Sequence, residues 1–298
     1  MPVIVDAPDG DAIDLAEFKE GCRDLRMDAS EADGLLAAAP LLRRLQKNRR
    51  FLAQFLFDHL DRFRSDARGT EHTGQIFPLG PIDDNHYGRA CIWPSADSDM
   101  YRKTGPALFY SDEPHDPNFS FLTVGYSGPG YSSDYYEVRD DTGDWHPGTK
   151  VQLTPTGRKT LAEGAMFLYR KAVDVHSQIP PAATSISLNI VAAKKSNTHD
   201  QQHIFTRDMS SVAYIHHQRA NYPLFAAAAN LDVGNSFERL ADLSESHRDG
   251  FIRFYALKAL AASRAERADV ANVMETASKD PNPVLRGLAS RYLEMMAA

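Results

Sequence analysis

His115-Asp116-Pro117-Asn118-Phe119-Ser120-Phe121-Leu122-Thr123-Val124-Gly125-Tyr126 runs into Ser127-Gly128-Pro129-Gly130. Tyr131-Ser132-Ser133-Asp134-Tyr135-Tyr136-Glu137-Val138-Arg139 follows. Aromatic and β-branched residues on either side of a Gly/Pro cluster read as two strands joined by a tight turn. With the turn centred near Tyr126 to Gly128, His115 falls opposite residues 137 to 141, and Glu137 lies at the edge of that window. A second histidine, His176, ends another strand-like run, Ala165-Met166-Phe167-Leu168-Tyr169-Arg170 through Val173-Asp174-Val175-His176. Two imidazoles and one carboxylate from neighbouring strands make a facial metal site with open positions, the type that suits non-haem iron. His115, Glu137 and His176 are therefore the expected metal ligands. Fe(II) is the expected metal, and the same donors accept Mn, Ni or Zn.

Outward from this stretch, bulk properties set the frame. At 298 residues the chain is long enough for two or three structural units. A hydrophobic content of 43% and a charged content of 24% describe an ordinary globular protein. The formal net charge of -7 argues against nucleic-acid partners, which need an excess of Lys and Arg over the phosphates. Cys22 and Cys91 have neither the number for a disulfide framework nor the spacing of a zinc site. No basic segment followed by an apolar one opens the sequence, and no run approaches ~18 apolar residues. A cytoplasmic protein without membrane partners is the expectation.

Three regions succeed one another. Residues 1–68 are expected to be helical: Leu41, Leu42, Leu45, Leu52, Phe55, Leu56, Leu60 and Phe63 recur at helical spacing behind Pro40. The basic residues Arg43, Arg44, Lys47, Arg49 and Arg50 read as a solvated face with ion pairs. Residues 69–195 break into short apolar pieces between Gly and Pro, such as Gln75-Ile76-Phe77, Arg89-Ala90-Cys91-Ile92-Trp93 and Ser185-Ile186-Ser187-Leu188-Asn189-Ile190-Val191. Many short strands at regular spacing predict a sandwich or barrel of jelly-roll type. Residues 196–298 turn helical. There Phe251-Ile252-Arg253-Phe254-Tyr255-Ala256-Leu257-Lys258-Ala259-Leu260 and Val284-Leu285-Arg286-Gly287-Leu288-Ala289-Ser290-Arg291-Tyr292-Leu293 align at an offset of 33 residues. Such a period points to stacked helical pairs.

The middle region resembles the cupin superfamily, whose fold is a double-stranded β-helix. Gly164-Ala165-Met166-Phe167-Leu168-Tyr169 leading to His176 is similar to the second cupin motif, although its Pro-x-Gly is missing. In the first motif, His115 and Glu137 take the outer places, while Pro117 stands where the family has a second His. The resemblance implies a metal-dependent oxidoreductase, an oxygenase acting on a small polar substrate or a peptide side chain. Tyr135 would line the pocket and Arg170 would meet a substrate carboxylate with its bidentate fork. Asp174 or Gln178 would orient His176. The tail is similar to HEAT repeats and is expected to pack on the β-domain, on a second copy in a homodimer, or on a protein partner. Two competing readings remain: a metal-free cupin-like binding or sensing protein, favoured by Pro117, and an interaction protein working through the helices.

Other histidines offer less. His199 and His203 stand at helical i, i+4 spacing, but no Glu follows the first, so the zinc-peptidase motif is absent. His216 and His217 diverge on any regular element. Gly125 to Gly130 lacks the Lys-Ser/Thr of a phosphate loop, and no serine nucleophile elbow occurs.

Overall fold

A strand buried on both faces shows which side chains each layer takes, because successive residues point opposite ways. The computed structural model describes residues 1–57, 75–109, 111–138, 145–192, 201–216, 221–231, 234–264 and 267–297. In chain order its strands are β1 (Val3–Ile4), β2 (Ile76–Pro81), β3 (His86–Trp93), β4 (Ser120–Ser127), β5 (Ser132–Val138) and β6 (Leu153–Thr160). Then come β7 (Met166–Tyr169), β8 (Val175–Ile179), β9 (Ser185–Ala192), β10 (Gln202–Phe205) and β11 (Val212–His216). A six-stranded sheet runs β1-β7-β4-β9-β3-β2 and a three-stranded sheet runs β6-β5-β8. The chain divides into two compact units, Met1–Val138 with Leu153–Gln202, and Arg139–Gln152 with His203–Ala298.

In the first unit, the six-stranded sheet uses its two faces differently. Leu122, Val124, Met166, Leu168, Leu188 and Ile190 point to one side. They join Phe18 and Cys22 of α1 (Leu15–Asp24), Leu35 of a short 3-10 helix (Ala32–Ala38), and Leu42 and Leu45 of α2 (Ala39–Lys47) in one core. Each such aliphatic side chain contributes about 1.5–3 kcal/mol on burial. The N-terminal helices and the strands therefore form one packing unit. The start of α1 is held by a capping box, Asp14 accepting from the Glu17 N–H and Glu17 accepting from the Asp14 N–H.

Several sequence expectations are corrected. β4 and β5 do not form a hairpin: they lie in different sheets, and residues 128–131 carry the chain from one to the other. Gly130 has a φ of 81°, and a Cβ there would run into the Leu161 carbonyl, so the corner demands glycine. Likewise residues 165–176 are not one strand. β7 and β8 belong to different sheets, and between them Ala172 adopts a φ of 58°. The expected helix from Leu41 to Phe63 breaks after α2. Asn48 turns extended, with ψ 96°, and its side chain accepts from the N–H groups of Arg50 and Phe51 to open the next helical turns, residues 51–57. Leu60 and Phe63 lie outside the described residues.

Residues 202–205 and 212–216 are strands rather than helical. β10 and β11 pair with each other, and Lys150 bridges Ser211. Trp145 packs edge-on against His203 and Phe205. Helices follow: α4 (Asn221–Leu231), α5 (Ser236–Ser246), α6 (Gly250–Arg264), α7 (Arg267–Ala277) and α8 (Pro283–Ala297); a short α3 (Asp99–Thr104) belongs to the first unit. The two segments that align in sequence are α6 and α8, 15 residues each. Arg253 forks onto the Asp280 carboxylate with bonds of 3.0 and 2.7 Å, while Arg286, at the equivalent place, donates to the Asp280 carbonyl. Among the described residues no helix is long and apolar enough to cross a membrane.

Candidate functional site

The other face of the six-stranded sheet looks onto the three-stranded one. Register places the inward residues. On β5 and β8, Ser133 pairs with Gln178 and Tyr135 with His176, so these four share a face. The segment before β4 adds itself as a further edge: His115 and His176 exchange both backbone N–H···O bonds, at 2.9 Å each. Directly opposed residues of such a pair point the same way, and the two imidazole rings stand with centroids 4.4 Å apart. Tyr135 spans the gap between the sheets, its hydroxyl 2.5 Å from that of Tyr169 on β7. Phe121 stacks on Tyr169, with planes 7° apart.

Both histidines are buried, and each is anchored in the same way. His115 Nδ1 lies 2.8 Å from the Glu113 carbonyl, and His176 Nδ1 lies 2.8 Å from the Asp174 carbonyl. A carbonyl only accepts, so each Nδ1 carries a proton and each Nε2 keeps its lone pair while the ring is neutral. Neutrality is enforced by the surroundings. Burial, together with the neighbouring His176, pushes His115 down to about 3, and burial pushes His176 down to about 4. Burial also drives the Tyr135 hydroxyl up to about 12 and raises that of Tyr169 well above the ordinary value, so both remain protonated.

The sequence-predicted residues are thus only partly brought together. His115, His176 and Tyr135 meet between the sheets. Glu137 does not join them: its side chain is 61% exposed and lies 3.9 Å from the Met1 amine. The register shift beside it places its extra residue, Thr156, on β6 rather than on β5. Arg170 is already engaged, forking onto the buried Asp174 carboxylate at 3.0 and 2.8 Å and donating to the Met1 carbonyl. Asp174 orients His176 through its backbone carbonyl, its carboxylate being taken by Arg170 and the Met1 amine. No group of three or more His, Cys, Asp or Glu that could hold a metal occurs among the described residues. His199 and His217 lie outside them.

Sequence reasoning missed the polar row on the inner face of the large sheet. Arg89 on β3 pairs in register with Asn189 on β9, and Asn189 pairs with Thr123 on β4. The alternation Arg89-Ala90-Cys91, with Ala90 in the helix-side core, was the available signal. Asn189 donates to Cys91 Sγ at 3.2 Å. Thr123 Oγ1 and Arg89 Nε are buried with no hydrogen-bond partner, as is Gln178 Oε1 on the opposing sheet.

No protein-family model and no curated protein matches the chain. Solved structures to which it is similar include a cupin-like protein from Thermotoga maritima, at 8% identity over 44% of this chain and 80% of that one, with a TM-score of 0.23. The DMSP lyase DddQ from Ruegeria pomeroyi aligns at 9% identity over 65% and 79%, with a TM-score of 0.21. Peruvianin-I, a cysteine peptidase from Thevetia peruviana latex, aligns at 11% over 43% and 68%, with a TM-score of 0.24. A cupin-like protein is thus among the matches, at a similarity too low to carry an argument about fold or activity.

Proposed function

We propose that the first unit is a cupin-like double-stranded β-helix that binds and transforms a small polar molecule between its two sheets, with His115 and His176 at the centre of the chemistry. The fold reading rests on chain order: β4 and β5, β6 and β7, β7 and β8, and β8 and β9 each fall in different sheets, as winding around a barrel requires. The single observation that supports the activity is the buried imidazole pair, both Nδ1 protons tied to carbonyls and both rings held neutral.

A divalent metal fits two of its ligands here, since neutral imidazoles with oriented Nε2 lone pairs are good donors to Fe(II), Mn, Ni or Zn. Glu137, turned outward, does not complete the set. When bound, such a metal would supply Lewis acidity and open positions for substrate and dioxygen. The chain's own contribution is separable from it. The Glu113 and Asp174 carbonyls fix both rings, the Phe121–Tyr169 stack excludes water beside them, and the Tyr135–Tyr169 pair keeps a hydroxyl proton as a donor to a polar substrate. A metal-dependent oxidoreductase is the reading we favour. The second reading, a metal-free binding protein, is favoured by the outward position of Glu137.

Elemental analysis of protein purified without chelator separates them. About one bound metal per chain, lost in His115→Ala and in His176→Ala, is the expected result. Metal retained by both variants sinks the metal-dependent reading. For the second unit we read the α5–α6 and α7–α8 pairs as HEAT-like, a docking element for a partner or a second copy.

A further inference from the structure

Among the described residues, Arg89 is an inward-facing cation with no hydrogen-bond partner on its buried Nε. Among the described residues no carboxylate pairs with it. Its guanidinium lies instead over the rings of Phe119 and Phe121, 5.2 and 5.7 Å from their centroids, and its Nε is buried without a hydrogen-bond partner. A second observation points the same way. Thr123 is fully buried with its hydroxyl unpartnered, and it stands in the same row across the sheet through Asn189. Asn189 spends its amide on a thiol, a weak acceptor. A buried polar group left without a partner is costly, so a natural interior rarely gathers two in one row unless something answers them.

The geometry points to a carboxylate subsite: we infer that the space between the sheets takes a small organic acid, its carboxylate on Arg89 with Thr123 and Asn189 as flanking donors. This rests on the proposed function above and names the substrate class for the same site. A planar guanidinium with its faces against aromatic rings offers its N–H edge, which matches the two oxygens of a carboxylate. Charge selects between anions. The row carries one fixed positive charge, which one carboxylate balances, whereas a phosphate near two negative charges would leave an excess in a partly buried place. Arg89 and Phe119 are partly exposed, so the subsite is reachable from solvent on that side. Arg170, the fork expected from sequence, cannot serve because Asp174 occupies it.

The test is calorimetry on the full chain with formate, acetate, succinate and benzoate, each against its neutral amide, and with inorganic phosphate. At least one carboxylate is expected to bind, its amide at least tenfold more weakly, and phosphate no better than the amide. Arg89→Met should weaken the bound acid at least tenfold and Arg89→Lys by less, with the urea midpoint checked for each. No binding by any acid, equal binding of acid and amide, or stronger binding of phosphate overturns the proposal, and these wild-type comparisons stand even if Arg89→Met does not fold. Metal content read on the same samples keeps the two ideas apart. Acid binding lost in folded Arg89→Met with metal content unchanged supports the subsite as a feature separate from the imidazole pair. Acid binding unchanged in folded Arg89→Met refutes the subsite and leaves the imidazole site standing.

Discussion

The two faces of the six-stranded sheet are made by the same strands and are built to different ends. Leu122, Val124, Leu168, Leu188 and Ile190 face the helices and join one apolar core with them. One residue along each strand, Phe121, Thr123, Tyr169 and Asn189 face the second sheet, where rings alternate with polar groups. The helix side is where burial yields stability. The inner side gives some of that stability up, carrying buried hydroxyl, amide and guanidinium atoms that an aliphatic core would omit. Sites of this kind are where local physical consistency is expected to fail for the sake of function.

Substitutions can break this comparison. The largest effect is expected from Leu188→Ala, which empties a fully buried position on the helix side and should cost about 2–5 kcal/mol in urea unfolding. A cost below ~1 kcal/mol would mean that this face is not the stabilising one. Next comes Asp174→Asn, which unpairs the Arg170 fork and the Met1 amine from a fully buried carboxylate. About 2 kcal/mol should be lost, measured by thermal melting, with Arg170 partly recovering by turning to solvent.

A pair outside the sheets supplies a scale for ordinary ion pairing. Burial alone would raise the Asp280 carboxyl, but hydrogen bonds from Arg253 and the Asn282 N–H outweigh it and hold it below the ordinary 3.8. Its contribution is therefore fully present above about pH 4 and is lost as pH falls through the depressed value. Asp280→Asn should cost about 1–2 kcal/mol at pH 7 and progressively less in acid, followed by far-UV circular dichroism. A cost independent of pH down to 2 would show that the carboxylate charge is immaterial. The smallest effect is expected from Thr123→Val. It removes an unpartnered hydroxyl at constant shape, so the ligand-free protein should change by less than ~1 kcal/mol, or gain slightly. A loss as large as that of Leu188→Ala would make the inner face an ordinary core.

Much of this architecture could be read from local patterns. The apolar run Ser185–Val191 marked β9 closely and Arg89–Trp93 the second half of β3, whereas β2 runs on through Pro78, Gly80 and Pro81, which read as breaks; the 33-residue offset located α6 and α8. What misled was connectivity. The Gly128-Pro129-Gly130 cluster signals a reversal, and a hairpin turn and a corner between sheets use the same residue types. Reading the corner as a hairpin put Glu137 opposite His115, whereas the backbone partner of His115 is His176. The apolar run through 165–176 hid its break because Ala172, which takes the positive φ, is not a residue that announces a turn.

From its residues alone this chain shows a β-rich middle between helical flanks, and two histidines in extended segments. Only the tertiary structure decided that the two imidazoles meet each other, and that among the described residues no carboxylate pairs with Arg89. Side-chain type and period are local properties that a strand carries wherever it lies. The pairing of His115 with His176, and of Arg89 and Thr123 with Asn189, depends on register between segments 60 or more residues apart, and a one-residue slip reverses every face.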